Sequence, residues 1–196
     1  MDEEFDLEEL LEAYPNRGRS VPIWGRAVPI KKDENNYNCY ITGDIGSPHN
    51  YNELHYVLET AKEGDVVKLH INTGGGYIDS AFQIVDAIKQ TKAFVIAHIV
   101  GTVASAGTII ALSCHELQVA DFTQFMIHNY STGTQGKGHE VMDYINFNDR
   151  NLKEIFKKIY KGFLTDREIT NVINGKDMWL GSEEIVKRWE RYKGIV

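Results

Sequence analysis

The sequence predicts one α/β domain built on a largely parallel sheet, and three observations carry that prediction. Buried-strand and amphipathic-helix patterns alternate from about Tyr37 onward. Twice an apolar strand runs into a glycine-rich turn that opens directly into a helix, at Gly74-Gly75-Gly76 and at Gly101 to Gly107. A chain of 196 residues, 42% hydrophobic and 25% charged, is long enough for one sizeable core. Strands separated by helices pair in parallel, because the crossover returns the chain to the end of the sheet where the first strand began.

Each element follows from its local pattern. Asp2 to Glu12 carries seven acids around Phe5, Leu7, Leu10 and Leu11, a weak amphipathic helix ended by Tyr14-Pro15-Asn16-Arg17-Gly18. Residues 1–20 therefore read as an acidic arm and 21–196 as a single compact domain. Two prolines and Gly25 interrupt Val21 to Lys32, so irregular or edge structure is expected before a first strand at Tyr37 to Thr42. Asn50 to Lys62 sets Leu54, Val57, Leu58 and Ala61 on one helical face, and Glu63-Gly64-Asp65 turns into a strand, Val66 to Ile71. The unit repeats as a helix from Ile78 to Gln90 and a buried strand from Ala93 to Val100. A turn at Gly101 to Ala104, a small-residue helix from Ser105 to Ser113, and short strands at Leu117 to Ala120 and Gln124 to His128 come next.

Asn129 to Gly138 is small, polar and glycine-rich, which predicts a mobile loop or extended ribbon. A long helix follows from His139 to Phe163, with Val141, Ile145, Leu152, Ile155, Phe156 and Ile159 as its apolar stripe. Thr165 with Glu168 forms a capping-box pair for a short helix ending near Gly175. Met178-Trp179-Leu180 reads as a last strand, and Ser182 as the cap of a final helix to Arg191.

Composition narrows the function classes. The formal charge of −7 works against attraction to phosphate backbones, so nucleic acid is not an expected ligand. The acidic start Met1-Asp2-Glu3-Glu4 suits neither a secretory signal nor a transit peptide. The most apolar stretch, Ala93 to Ala111, is broken by His98, Gly101, Thr102, Ser105 and Gly107, which argues against a membrane span. Cys39 and Cys114 lack CxxC spacing and suggest neither a disulfide framework nor a zinc site, as in a reducing cytoplasm. His115-Glu116 and His139-Glu140 have no second ligand at helical spacing, so they read as surface residues and no metal cofactor is expected. Gly136-Lys137-Gly138 is no P-loop: Ser131 stands where the first glycine is needed and Gly138 where Ser or Thr is needed.

The chemistry gathers at the two glycine turns. Each would expose backbone N–H groups at a helix start, where a developing oxyanion or a phosphate can be held. In the second turn Ser105 stands between Ala104 and Ala106-Gly107, small neighbours that let a carbonyl approach its hydroxyl. A serine needs an adjacent base, and His128, ending the apolar strand Phe125-Met126-Ile127, is the best-placed histidine. Pattern alone does not choose the orienting carboxylate among Asp121, Asp143, Asp149, Asp166 and Asp177.

Four ordered segments resemble signatures of the Clp protease proteolytic subunit family: Ile71-Asn72-Thr73-Gly74-Gly75-Gly76, Ala104-Ser105-Ala106-Gly107, Met126-Ile127-His128, and Lys176-Asp177-Met178-Trp179-Leu180-Gly181-Ser182-Glu183-Glu184. The resemblance implies a superhelix of β-β-α units, as in crotonases, with a handle over about 129–163 made of a glycine-rich strand and the long helix. It implies Ser105 as nucleophile, His128 as base and then acid, Asp177 as orienting carboxylate, and the backbone N–H groups of Gly76 and Ala106 as oxyanion donors. It further implies a cytoplasmic serine endopeptidase acting on unfolded polypeptides inside heptameric rings stacked in pairs. An AAA+ unfoldase would then be the partner that uses ATP.

Departures are visible. Gly74 stands where the family has proline, which frees φ in that turn. Gly175 and Lys176 replace an acid and an arginine that join stacked rings, so stacking is expected to be weaker or built differently. The rival readings are a capsid or precursor maturation protease of the same family, a crotonase-like acyl-CoA enzyme using acids at the reacting carbon, and a non-catalytic ring subunit. An α/β-hydrolase elbow is disfavoured because Val103 occupies its first glycine position.

Overall fold

The computed structural model describes residues 27, 29–31, 33 and 35–192; the acidic arm expected at 1–20 lies outside them. The sheet order is β1-β2-β3-β4-β6-β7, with β5 also paired to β4. Its strands are β1 (Pro29–Lys31), β2 (Asn36–Thr42), β3 (Val66–Thr73), β4 (Phe94–Ala104), β5 (Glu116–Val119), β6 (Gln124–Ile127) and β7 (Met178–Gly181). Pairing is parallel from β2 through β6 and antiparallel at both edges, β1 on β2 and β7 on β6.

Period-two alternation decides which face is buried. Val67, Leu69 and Ile71 of β3 and Val95, Ala97 and Ile99 of β4 are each 0% exposed. They share one core with Leu54 and Leu58 of α1 (Asn52–Thr60), Ala81, Ile84 and Ile88 of α2 (Ile78–Gln90), and Ile109 to Leu112 of α3 (Ala106–Leu112). Each such branched side chain contributes about 1.5–3 kcal/mol by leaving water. Residues one step out of phase form a half-open face, where the His70 and His98 rings meet at Nδ1···Nδ1 3.1 Å and His70 Nε2 lies 3.0 Å from Asn38 Oδ1. Burial pushes both imidazoles below their ordinary value.

The turn expected at Gly101 to Ala104 is instead the second half of β4. Gly101 takes φ +60, the register to β3 slips between Ile71 and Thr73, and the chain resumes pairing at Thr73↔Val103. Glycine marks a bulge here, and the β-branched Thr102 and Val103 carry the strand on. One edge of β4 therefore serves two neighbours in turn: Ile96 to Ile99 pair with β5, and Thr102 to Ala104 pair with β6.

Residues 129–137 have no regular secondary structure and pair with no strand among the described residues. The long helix α4 (Gly138–Tyr160) buries Leu152, Phe156, Ile159 and Tyr160 near its end and leaves Met142, Tyr144 and Phe147 exposed near its start. Helix α5 (Asp166–Ile173) has the expected capping box: Thr165 Oγ1 accepts from Glu168 N, and the Glu168 carboxylate accepts from Thr165 N at 2.8 Å. Helix α6 (Ser182–Trp189) starts at Ser182 with Gly181 as its cap, because the Ser182 hydroxyl donates to the Asp121 carbonyl instead. Arg188 ties the two helices, meeting both Glu168 oxygens at 2.8 and 2.9 Å, Glu184 at 2.7 Å and the Phe163 carbonyl at 3.1 Å. His115 is half-buried rather than superficial, with Nδ1 accepting the Val95 N–H at 3.0 Å.

Candidate active site

The two glycine turns meet. A Cβ on Gly75 would sit 2.5 Å from Ser105 Cβ and 3.1 Å from its Oγ, and a Cβ on Gly107 would sit 2.4 Å from Thr73 Cγ2. Real carbon contacts optimise near 3.5–4.0 Å, so each glycine is required by the other turn. Gly76, at φ +147, is held by a bridge to Ile45, whose carbonyl a Cβ would strike at 2.2 Å. Gly75 N–H donates to Thr73 Oγ1 at 3.0 Å, which fixes the entry to the turn.

Ser105 is the N-terminal cap of α3, with φ +53 and ψ −124, and among the described residues it alone of the non-glycines has positive φ. Such a conformation costs about 1–3 kcal/mol and persists where the surroundings over-determine it. Here Ser105 N–H donates to the Met126 carbonyl at 2.8 Å, and the Ser105 carbonyl accepts from Thr108 N–H at 2.9 Å and from Thr108 Oγ1 at 2.7 Å.

His128 follows β6 directly. Since Met126 is bound to the Ser105 backbone, the chain two residues later carries the imidazole to the hydroxyl. His128 Nε2 lies 2.7 Å from Ser105 Oγ, within proton-transfer reach. The neighbouring Asn129 is anchored too, with Nδ2 donating to the Ile173 carbonyl at 2.9 Å.

Asp177 precedes β7. The antiparallel register ends at Ile127↔Met178, so His128 and Asp177 are the next residues along the two strands, just beyond the paired region, and no hydrogen bond joins their side chains. The Asp177 carboxylate is exposed and makes no side-chain hydrogen bond or ion pair among the described residues. Asp121 lies at the foot of β6, while Asp143 and Asp149 lie on α4 and Asp166 opens α5. The backbone N–H groups of Gly76 and Ala106 have no protein acceptor among the described residues.

Thr108 and Tyr160 escaped the reading of the sequence. Thr73 and Gly75 lie within the first glycine motif, which gave neither an individual role. Thr108 and Tyr160 are 52 positions apart, and no local pattern joins them. Among the described residues no group of three or more His, Cys, Asp or Glu side chains is placed to hold a metal. No helix among them is long and apolar enough to cross a membrane.

A hydroxyl on a strained strand-to-helix turn, with an imidazole in reach and free N–H groups alongside, is the arrangement that activated-serine chemistry requires. The chain belongs to the Clp protease family, whose family model matches residues 47–188. It is 31% identical over 136 residues to the ATP-dependent Clp protease proteolytic subunit 3 of Rhizobium meliloti, covering 65% of this chain and 67% of the relative. It is 29% identical over 126 residues to proteolytic subunit 2 of Pseudomonas aeruginosa, covering 63% and 62%, and 26% identical over 135 residues to proteolytic subunit 1 of Chlamydia caviae, covering 66% and 70%. The chain is thus aligned to about two thirds of the length of these relatives.

Proposed function

We propose that this chain is a serine endopeptidase that cleaves unfolded polypeptides with Ser105, His128 and Asp177. The observation that carries the reading is the 2.7 Å contact of His128 Nε2 with Ser105 Oγ on the strained turn. Ser105 Oγ attacks the scissile carbonyl carbon as His128 Nε2 takes its proton. The carbonyl electron pair moves onto oxygen, where the N–H groups of Gly76 and Ala106 receive it. Collapse of the tetrahedral intermediate breaks the C–N bond, His128 protonates the leaving amine, and water releases the acyl group by the same steps in reverse order. Asp177, one residue beyond the paired end of β7, closes on Nδ1–H and holds the tautomer whose Nε2 is free to accept.

The relatives named above are ATP-dependent proteolytic subunits, and the same organisation is proposed here: a ring of copies, with ATP used by a partner unfoldase. The exposed Met142, Tyr144 and Phe147 on the first half of α4 support an oligomeric surface there.

A fluorophosphonate probe tests the chemistry. Wild-type protein becomes labelled at Ser105, and Ser105→Ala loses both label and peptidase activity. Peptidase activity that survives in Ser105→Ala refutes the assignment.

A further inference from the structure

The Ser105 carbonyl and the Ala106 N–H are two edges of one peptide plane. Because a trans peptide is planar, its C=O and N–H point in opposite directions, and whatever grips the oxygen aims the hydrogen. Thr108 Oγ1 donates to that oxygen at 2.7 Å, and Tyr160 Oη lies 2.7 Å from Thr108 Oγ1. A hydroxyl has one hydrogen. Since the Thr108 hydrogen is committed to Ser105, Tyr160 must be the donor in the second bond. Tyr160 is 2% exposed and Thr108 0%, so water competes for neither bond. Burial also pushes the Tyr160 phenol well above its ordinary value, and the donor keeps its proton across the working pH range.

We infer that Thr108 and Tyr160 are positioning residues for the oxyanion hole: the chain Tyr160 Oη–H to Thr108 Oγ1–H to the Ser105 carbonyl sets the direction of the Ala106 N–H. This rests on the peptidase reading above. Two donors converge on the Ser105 oxygen, because Thr108 N–H also reaches it at 2.9 Å, and they polarise the peptide so that its N–H is a stronger donor. Tyr160 ends α4, so the last turn of the long helix is wired directly to the nucleophile's peptide. The effect belongs to the transition state, when negative charge appears on the acyl oxygen, and not to substrate binding.

The molecule supplies its own control. Tyr192 Oη is another shielded phenol, whose one hydrogen is shared between the carbonyls of Ile159 at 3.1 Å and Leu112 at 3.3 Å, and it makes no hydrogen bond to Thr108 or Ser105. Peptide turnover and the rate of fluorophosphonate labelling are measured for wild type, Tyr160→Phe, Thr108→Val, Thr108→Ser and Tyr192→Phe, with thermal unfolding followed in parallel.

Tyr160→Phe and Thr108→Val are expected to lower kcat and the labelling rate about tenfold with KM within about twofold, a fraction of the 10²–10³ that follows removal of a whole oxyanion donor. Thr108→Ser keeps the hydroxyl and stays near wild type. Tyr192→Phe loses comparable stability while labelling at the wild-type rate. Labelling of Tyr160→Phe at the wild-type rate overturns the inference, and so does an equal loss in Tyr192→Phe. Wild-type protein that is active but unlabelled at Ser105 overturns the peptidase reading itself, and this inference with it.

Discussion

Replacing Gly75 by alanine puts a methyl group where the structure has no room for one. Its Cβ would lie 2.5 Å from Ser105 Cβ and 3.0 Å from the Ala104 carbonyl oxygen, and the residue would have to hold φ +103. Restoring carbon contact to about 3.5 Å requires the two turns to part by about 1 Å. A displacement of that size between reacting groups costs about 10²-fold in rate. The left-handed backbone adds about 1–3 kcal/mol of strain, and for a chain of this size each kcal/mol lowers Tm by about 2–4 °C. Gly74, next in line, has nothing within 4 Å of the Cβ position and no left-handed φ. Gly74→Ala should therefore hold activity and gain about 0.4–1 kcal/mol by restricting the unfolded chain. The assay is kcat/KM on a fluorogenic peptide, with calorimetric Tm for both variants. If Gly75→Ala stays within threefold of wild type, or Gly74→Ala is equally damaged, the packed-turn account is wrong.

Two further changes probe separate regions. Asp177→Asn should cut kcat by about 10⁴-fold, the scale on which a Ser-His pair depends on its orienting carboxylate; full turnover would remove Asp177 from the mechanism while leaving Ser105 and His128 in place. Hydrogen bonds from Arg188 hold the Glu168 carboxyl at about 2, against an ordinary 4.5. A depressed carboxyl contributes stability that is present above 4.5 and is lost as pH falls toward 2, so the urea midpoint should drop more steeply over that window in wild type than in Glu168→Gln. Parallel slopes would refute this.

Most of the architecture was legible because hydrophobic period and punctuation agreed. The strands expected at Val66 to Ile71 and Gln124 to His128, observed at Val66–Thr73 and Gln124–Ile127, the helix from Ile78 to Gln90 and the Thr165–Glu168 capping box each announce themselves within a few residues. The errors came where one residue type has two meanings. Gly101 reads as the end of a strand, yet it is a bulge that β4 crosses, and Ser182 reads as a cap while its hydroxyl goes to Asp121. That Ser105 and His128 would lie together was legible from residue chemistry and motif order, and their side chains meet at 2.7 Å. The pairing that brings the β6 and β7 ends together, Ile127 with Met178, is an antiparallel register across some 50 residues, which periodicity cannot encode. Tyr160 is hidden for a related reason: a buried phenol at a helix end looks like any other core aromatic until its hydroxyl partner is seen.

The divided edge of β4 gives Ser105 and His128 a seam separate from the rest of the strand's pairing. Below Gly101 the strand is clamped between β3 and β5, and above it the tip that presents Ser105 is gripped on the far side by three residue pairs to β6. Strand β6 in turn leans on β7, whose Trp179 is turned outward and more than half exposed. The Ser105 N–H bond to the Met126 carbonyl ties the β4 tip to the strand that ends before His128, so the 2.7 Å spacing of hydroxyl and imidazole is set within the β4–β6 seam.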